Sequence, residues 1–452
     1  MINPNIFRAF DIRGIYKKEL DEKAAFKIGL GFTRVFPEAK KIVIGRDSRL
    51  SSPSLAKATI NALLGQGKNV ADIGLAPDSL FSFSIIKKKF DAGVMITASH
   101  NPKQYNGLVF NVKGKGVQKK DIKAIKKVAQ KQIIEKGKEK GKLISFNPKK
   151  EYISYVLKRV KLKKPLKIIF DSGNGAVGFL PEKVFKKLNC KTNTIFGKPD
   201  GNFPNRAPNP CIEKNLVYLK KQVLKERADV GFAFDGDGDR VVMIDNKGRR
   251  VPEDYCLILL AKHILKEKKG PIVCGLRVSD VFLEQIKKMK IKTHFSVCHH
   301  NAIIEKIKKT KAVFGGEITS HYFFPKQFYL ADDAIFSALK LAEIVSEYDD
   351  FSKHIDTFPK IFATPEIFVK STDQKKFLII KKLKKHLKKQ KIKFINIDGA
   401  RVLFENGWAL IRASNTSPFI KIRLEGKTKK DLSRVRNKTI KLLKKAEINI
   451  KI

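Results

Sequence analysis

Cysteine is sparse in this sequence, acidic residues are outnumbered by basic ones, and long apolar runs are missing. The five cysteines, Cys190, Cys211, Cys256, Cys274 and Cys298, are scattered, odd in number and without a C-x-x-C pair. That pattern argues against a disulfide framework or a zinc ribbon and suits a reducing cytosol, so a cytoplasmic location is expected. No stretch approaches the length that crosses a bilayer. Met1-Ile2-Asn3-Pro4 lacks a charged region followed by an apolar one, so neither a signal peptide nor a membrane partner is expected. Against 94 Lys and Arg stand only 44 Asp and Glu, a net charge of +50. Attraction to phosphate, on nucleic acid or on metabolites, is the functional reading of such a charge. The lysines, however, run through nearly every helix-like segment. Their two concentrations, 113–142 and 375–393, read as solvated helix faces and flanking loops. No aromatic-rich recognition motif accompanies them, so no nucleic acid partner is expected.

What the sequence does contain is an alternation of strand-like and helix-like pieces. Strands at 41–45, 69–75 and 93–97 alternate with helices at 53–64 and 79–88, the pattern of parallel βαβ units. A second such segment has a strand at 166–170 and a helix at 181–188. A third has a strand at 272–274, another ending in Cys298-His299-His300, and a helix from Asp332 to Ser346. From about Ala363 the order becomes strand, Lys-rich helix, paired strands around Gly407-Trp408, and a last helix at 429–445. In parallel sheets ligands bind at the carboxyl ends of strands. There lies Thr97-Ala98-Ser99-His100-Asn101-Pro102, a hydroxyl beside a His on a tight turn, placed to act as a nucleophile or a phosphate carrier.

Three further clusters carry chemistry. Asp235, Asp237 and Asp239 alternate with glycine after an apolar strand; carboxylates that close repel unless a cation joins them, and hard oxygens suit Mg²⁺. An EF-hand is excluded, because Arg240 stands at its glycine position and Asn246 at its final glutamate. Arg412, Ser414, Asn415 and Thr416 offer a guanidinium fork, hydroxyls and an amide to a phosphate dianion, and Arg423 on the next strand can join them. Glu317, Thr319 and His321 alternate along one loop, 315–321, with Glu and Thr suited to sugar hydroxyls and His to proton exchange. A zinc site from Cys298, His299, His300 and His321 is a weaker alternative. Gly173, Gly175 and Gly178 match G-x-G-x-x-G, a dinucleotide signature. The turn-rich 199–210 that follows is not the expected second strand, and a helix start packed close to its sheet explains the glycines more simply.

TASHNP, DGDGDR, GEITSH and RASNT occur in this order, together with FRAFDIRG, GRDSR, DSGNGAVG, DGNFPN and GWALIRASNTSP. In these the chain resembles the α-D-phosphohexomutases, and within them the bacterial phosphomannomutase/phosphoglucomutase group, over essentially its whole length. The resemblance implies an α/β architecture of three related domains with mixed sheets, at 1–147, 148–249 and 250–360, and a TATA-binding-protein-like α+β domain at 361–452, around a central cleft. It implies interconversion of hexose 6-phosphate and hexose 1-phosphate through a phosphoserine and a 1,6-bisphosphate. The bisphosphate would also be the activator, and one Mg²⁺ is implied per monomeric chain. Ser99 matches the phosphorylated serine, and its phosphate with Asp235, Asp237 and Asp239 the metal ligands. Arg13, His100, Arg240 and His321 match positions around the reacting groups. Arg277, His300, Glu317, Thr319, Arg412, Ser414, Asn415, Thr416 and Arg423 match substrate positions. Phe10, Val109 and His299 depart from the usual Tyr, Lys and Gly. Within the family, phosphoglucosamine mutase is the alternative activity; its metal loop usually reads DGDADR and its phosphate loop SGTE-like, so DGDGDR and SNTS here favour the mannose/glucose group.

Overall fold

The computed structural model describes residues 2–131, 140–414 and 419–448. The chain divides into two compact units. One comprises Met1–Pro252 and Thr319–Asp356, the other Glu253–Ile318 and Thr357–Ile452.

In the first unit the leading sheet runs Ile12–Ile15, Tyr105–Val112, Ala92–Ile96, Lys41–Arg46, Asn69–Leu75, Leu143–Ser145. The middle strand Lys41–Arg46 is parallel to both neighbours, while Tyr105–Val112 runs antiparallel to its own, so the sheet is mixed. Side chains alternate across it, as a period of two requires. Ile42, Ile44, Val94 and Ile96 meet Ile28, Phe32, Leu55 and Ile125 of the helices on one face. Val43 and Met95 point the other way, onto Phe81 and Ile85 of the helix Asp78–Lys87. Both faces are covered, and only the strand ends are left for chemistry.

The second sheet runs Val241–Asp245, Val230–Phe234, Lys167–Asp171, Lys191–Ile195. The first two strands form an antiparallel pair around the Asp-rich turn, and the rest are parallel.

In the second unit Ile272–Gly275 is flanked in parallel by Thr293–Ser296 and Phe314–Glu317. The C-terminal sheet is antiparallel, with Gly407–Ala413 between Ala400–Phe404 and Phe419–Gly426, and with Ile367–Lys370 paired to the last. Both its helices, Asp373–Lys389 and Lys429–Lys445, bury Leu383, Leu387, Val435 and Leu443 against Ala409, Ile411, Ile420 and Ile422. The opposite sheet face carries Trp408 and Leu410, which pack on Leu276 and Cys298. The α/β reading with a final α+β segment therefore holds.

Three local expectations need correction. Residues 315–321 are not one loop, because Phe314–Glu317 and His321–Phe323 are strands. Cys298-His299-His300 does not end a strand: the strand stops at Ser296, and His299 caps the helix His300–Thr310, its Nδ1 accepting from the Asn301 amide at 3.3 Å. An imidazole acceptor at an extended residue can fill the capping role usually taken by Asn or Ser. The helix expected from Asp332 begins at Ala334, because Asp333 accepts the Phe336 amide and acts as its cap. Among the described residues no helix is long and apolar enough to cross a membrane.

Candidate active site

Ser99 follows the strand Ala92–Ile96, with its backbone in the left-handed region at φ +49°. A non-glycine residue held there stores strain that the surroundings must overcome. Arg49 supplies the restraint. Its guanidinium is buried and uses every N–H it has: Nε on Asp47, one terminal nitrogen on the carbonyls of Pro102 and Tyr105, the other on those of Ser99 and Asn101. Phe203 lies beneath it at 5.4 Å. Arg13 donates to the Ala98 carbonyl and to Asn101 Oδ1. Arg49→Lys keeps the charge but removes the fork. We expect it to destabilise the fold by roughly 2–5 kcal/mol, since three ammonium N–H groups leave at least two of the five buried acceptors without a donor, and to lower turnover by about 100-fold through misplacement of Ser99. Thermal melts and steady-state assays check both.

The restrained turn aims the Ser99 hydroxyl at Asp235, donating to Oδ2 at 2.8 Å, with His100 Nδ1 3.2 Å from Ser99 Oγ. Asp235 Oδ1 accepts from the amides of Gly238, Asp239 and Arg240, which curls the loop around it. One oxygen from each of Asp235, Asp237 and Asp239 lies within 4.8 Å of the others. Burial first, and then mutual repulsion, push Asp235 up to about 7 and Asp237 up to about 8, and hold Asp239 well above the carboxylate range. Thr97 Oγ1 lies 2.9 Å from both Asp47 and Asp237, and its single proton can serve only one of them. Asp237 Oδ1 and Asp239 Oδ1 are buried without any hydrogen-bond donor. Orphaned hard oxygens at this spacing are a donor set that fits Mg²⁺.

The glycines of 173–178 form the cradle of this loop. A Cβ on Gly175 would stand 2.9 Å from the Gly236 carbonyl, and the Ala176 amide donates to that same carbonyl. A Cβ on Gly173 would strike the Arg206 guanidinium at 2.5 Å. Arg206 in turn ties Asp171 to the Phe234 carbonyl at the root of the Asp loop. Close packing on the acidic loop, not a pyrophosphate, explains these glycines.

His321 opens the short strand His321–Phe323 in this unit, with Nδ1 2.8 Å from Asp332 Oδ2. Asp239, His321 and Asp332 form a second group whose ligand atoms lie within 4.8 Å. Arg240 Nε sits 3.9 Å from Asp235 and 3.7 Å from Asp239, which partly offsets their charge. Cys298, His299 and His300 belong to neither metal-competent group among the described residues.

The second unit gathers the anion-binding candidates. Arg277 contacts Glu317 at 3.0 Å and Glu366 at 3.5 Å. Burial works against its charge, but Cys298, Glu317 and Glu366 outweigh that and strengthen it. Arg412 is buried and paired with Asp398, which also accepts from the Cys298 amide. Ser414 is buried, its amide on the Phe419 carbonyl, while Asn415 and Thr416 lie outside the described residues. Arg423 faces Asp254 at 3.4 Å. His300 stands at the first turn of its helix, its ring 4.7 Å from that of His299.

Residues 4–135, 150–248 and 252–362 match the phosphoglucomutase/phosphomannomutase alpha/beta/alpha domains I, II and III, and 366–442 match the C-terminal domain. A phosphomannomutase/phosphoglucomutase of Pseudomonas syringae pv. tomato is 35% identical over 95% of this chain and 93% of its own. The chain belongs to the phosphoglucomutase/phosphomannomutase family. A crystal structure of a family protein from Burkholderia thailandensis superposes with a TM-score of 0.93 at 30% identity, covering 100% of this chain and 99% of that one. A probable phosphoglucosamine mutase of Methanothermobacter thermautotrophicus is 32% identical over 96% of this chain and 97% of its own. The chain is accordingly a hexose-phosphate mutase, a phosphotransferase.

In this mutase several site residues escaped the sequence reading. Asp47, Arg49 and Arg206 were visible only as parts of polar loops, and Asp332 only as a helix start. Their partners lie far away in sequence, and no local spacing signals them. Val109, where Lys is usual, packs beside Val43, Phe81, Ile85 and Met95, so this position contributes to a core cluster and brings no cation.

Proposed function

We propose that this enzyme interconverts the 6-phosphates and 1-phosphates of mannose and/or glucose, with Ser99 as the phosphoryl carrier and a hexose 1,6-bisphosphate as intermediate and activator. The observation that carries the reading is the Ser99 hydroxyl, held on a strained turn 2.8 Å from a buried triple of carboxylates. Asp235, Asp237 and Asp239, with a phosphoserine oxygen, would hold one Mg²⁺, which when bound offsets the charge of the transferring group.

In the forward half-reaction a sugar hydroxyl attacks the Ser99 phosphate. The bond from phosphorus to the sugar oxygen forms and that to Ser99 Oγ breaks. The hydroxyl proton leaves to a nearby base, and Ser99 Oγ regains a proton. His321, oriented by Asp332, is the proposed proton acceptor, with His100, Arg13 and Arg240 beside the departing charge. Glu317 and Thr319 are assigned to sugar hydroxyls. Arg277, His300, Arg412, Ser414, Asn415, Thr416 and Arg423 are assigned to the phosphate that does not react. The second half-reaction returns the other phosphate to Ser99 after the bisphosphate turns around, since the two ends present the same chemistry to Arg412. Four domains at 1–147, 148–249, 250–360 and 361–452, in a monomeric cytoplasmic protein, complete this reading; the matched residue ranges support the boundaries.

A parallel assay of mannose, glucose and glucosamine 1-phosphates, with Mg²⁺ and a trace of bisphosphate, tests specificity. Mannose and glucose phosphates should turn over at least about tenfold faster than the glucosamine compound, a difference of roughly 1.4 kcal/mol. A preference for glucosamine phosphate would reassign the enzyme to phosphoglucosamine mutation.

A further inference from the structure

Arg412 has a second cation, Lys421, as its direct cross-strand neighbour. In the antiparallel pair of Gly407–Ala413 with Phe419–Gly426, Arg412 stands opposite Lys421. Residues in such register have Cβ atoms about 5 Å apart, and like charges placed there repel. Both side chains leave the sheet on the face away from the two helices, because the alternate residues Ile411, Ala413, Ile420 and Ile422 are the ones in the helix-facing core. Lys421 is mostly buried. Its ammonium donates to Glu366 Oε2 at 3.0 Å and lies 5.0 Å over the Phe368 ring. Glu366 spends its other oxygen on Arg277, at 3.5 Å. One carboxylate thus bridges two cations, while Asp398 is committed to Arg412. Burial pulls Lys421 down, Glu366 pulls it up, and Arg277 and Arg412 pull it down again, as fits a third cation crowded into one anion site. Arg412 lies one residue before the end of its strand at Ala413, and Lys421 lies two residues after the start of the partner strand at Phe419, so both cations stand at the same end of the pair.

We propose that Lys421 is a phosphate ligand of the substrate site, the third cation beside Arg412 and Arg277, and that Glu366 is an internal anion that competes with the substrate phosphate for it. The inference rests on the mutase reading for the identity of the substrate, but not for the existence of the phosphate site. A plain structural bridge between Lys421 and Glu366 is the alternative, and the two differ in sign. A ligand and its competitor act oppositely when removed; two halves of a bridge act alike.

The experiment uses the full chain in a Ser99→Ala background, which binds a phosphosugar without turning it over. Titration calorimetry with glucose 1-phosphate, and with inorganic phosphate as a second probe, gives Kd directly. Lys421→Met should raise Kd about tenfold or more, as expected for one lost charge-assisted hydrogen bond. Lys421→Arg should restore it to within about threefold, and Glu366→Gln should lower it. With Ser99 intact, kcat/KM of Lys421→Met should fall chiefly through KM. Unchanged Kd in Lys421→Met would overturn the proposal. So would equal weakening by Lys421→Met and Glu366→Gln with matched losses in Tm, the mark of a bridge. Should the wild-type chain lack mutase activity while phosphate affinity still depends on Lys421, the substrate reading fails and the phosphate site stands.

Discussion

Replacing Ser99 with alanine should reduce mutase turnover by on the order of 10⁴-fold or more, the scale seen when a covalent catalytic group is deleted. The expectation follows from geometry. The hydroxyl donates to Asp235 at 2.8 Å, and the backbone at φ +49° is held by four bonds from Arg49 to the carbonyls of Ser99, Asn101, Pro102 and Tyr105. Alanine leaves that frame intact and removes only the oxygen that would carry the phosphoryl group. Tm should therefore move little, by no more than a few degrees. Intact-mass analysis of the wild-type protein before and after phosphatase should reveal a removable phosphate that the variant lacks. Wild-type turnover in Ser99→Ala would rule out the phosphoserine mechanism.

The second large effect is a coupling between pH, Mg²⁺ and stability. Asp235 and Asp237 have folded-state pKa values raised to about 7 and about 8, from an ordinary value near 3.8. Between those limits the folded state binds more protons than the unfolded one. The contribution of these groups to the stability of the metal-free protein should therefore be greatest below about pH 3.8 and should fall as pH rises through 7 to 8. Mg²⁺ replaces those protons, so its stabilisation should be small at pH 5 and large at pH 8. At a concentration 100 times Kd it supplies about 2.7 kcal/mol, a rise in Tm on the order of 5 °C. Asp237→Asn removes one of the repelling charges. The metal-free variant should melt above the wild type at pH 8 and should lose most of the Mg²⁺ response. Equal Mg²⁺ shifts at both pH values, or an unaltered response in Asp237→Asn, would exclude this carboxylate triple as the metal site.

Legibility in the sequence followed the range of each interaction. Asp235, Asp237 and Asp239 were readable because three ligands within one turn need no tertiary information. The strands at 41–45, 69–75 and 93–97 of the first sheet were readable because both of its faces are covered there, whereas Leu143–Ser145 at its edge is exposed and gives no apolar run of its own. His299 was misread because a residue that caps a helix looks, in sequence, like one that ends a strand. The glycines at 173–178 were noticed but admitted two meanings, and only the Gly236 carbonyl and Arg206 lying against them decided between the two. Asp332 lay hidden beside Asp333, since two adjacent carboxylates before a helix look like one cap. The structure separates them into a cap and a partner of His321. Lys421 was lost among 94 basic residues until its register opposite Arg412 set it apart.

Sequence alone set which functional groups are available and which sit together on short stretches of chain: the serine turn, the carboxylate triple, the Glu-x-Thr-x-His segment and the Arg-Ser-Asn-Thr run. Such groupings are set by chain connectivity and survive without a fold. Tertiary structure alone decided that Ser99 meets Asp235 across 136 residues, and that Arg49 must hold the turn. It also decided that the carboxylates lie deep enough, and close enough together, for burial and mutual repulsion to disfavour their charged forms. Burial and long-range contact set those properties, and neither is written in local spacing.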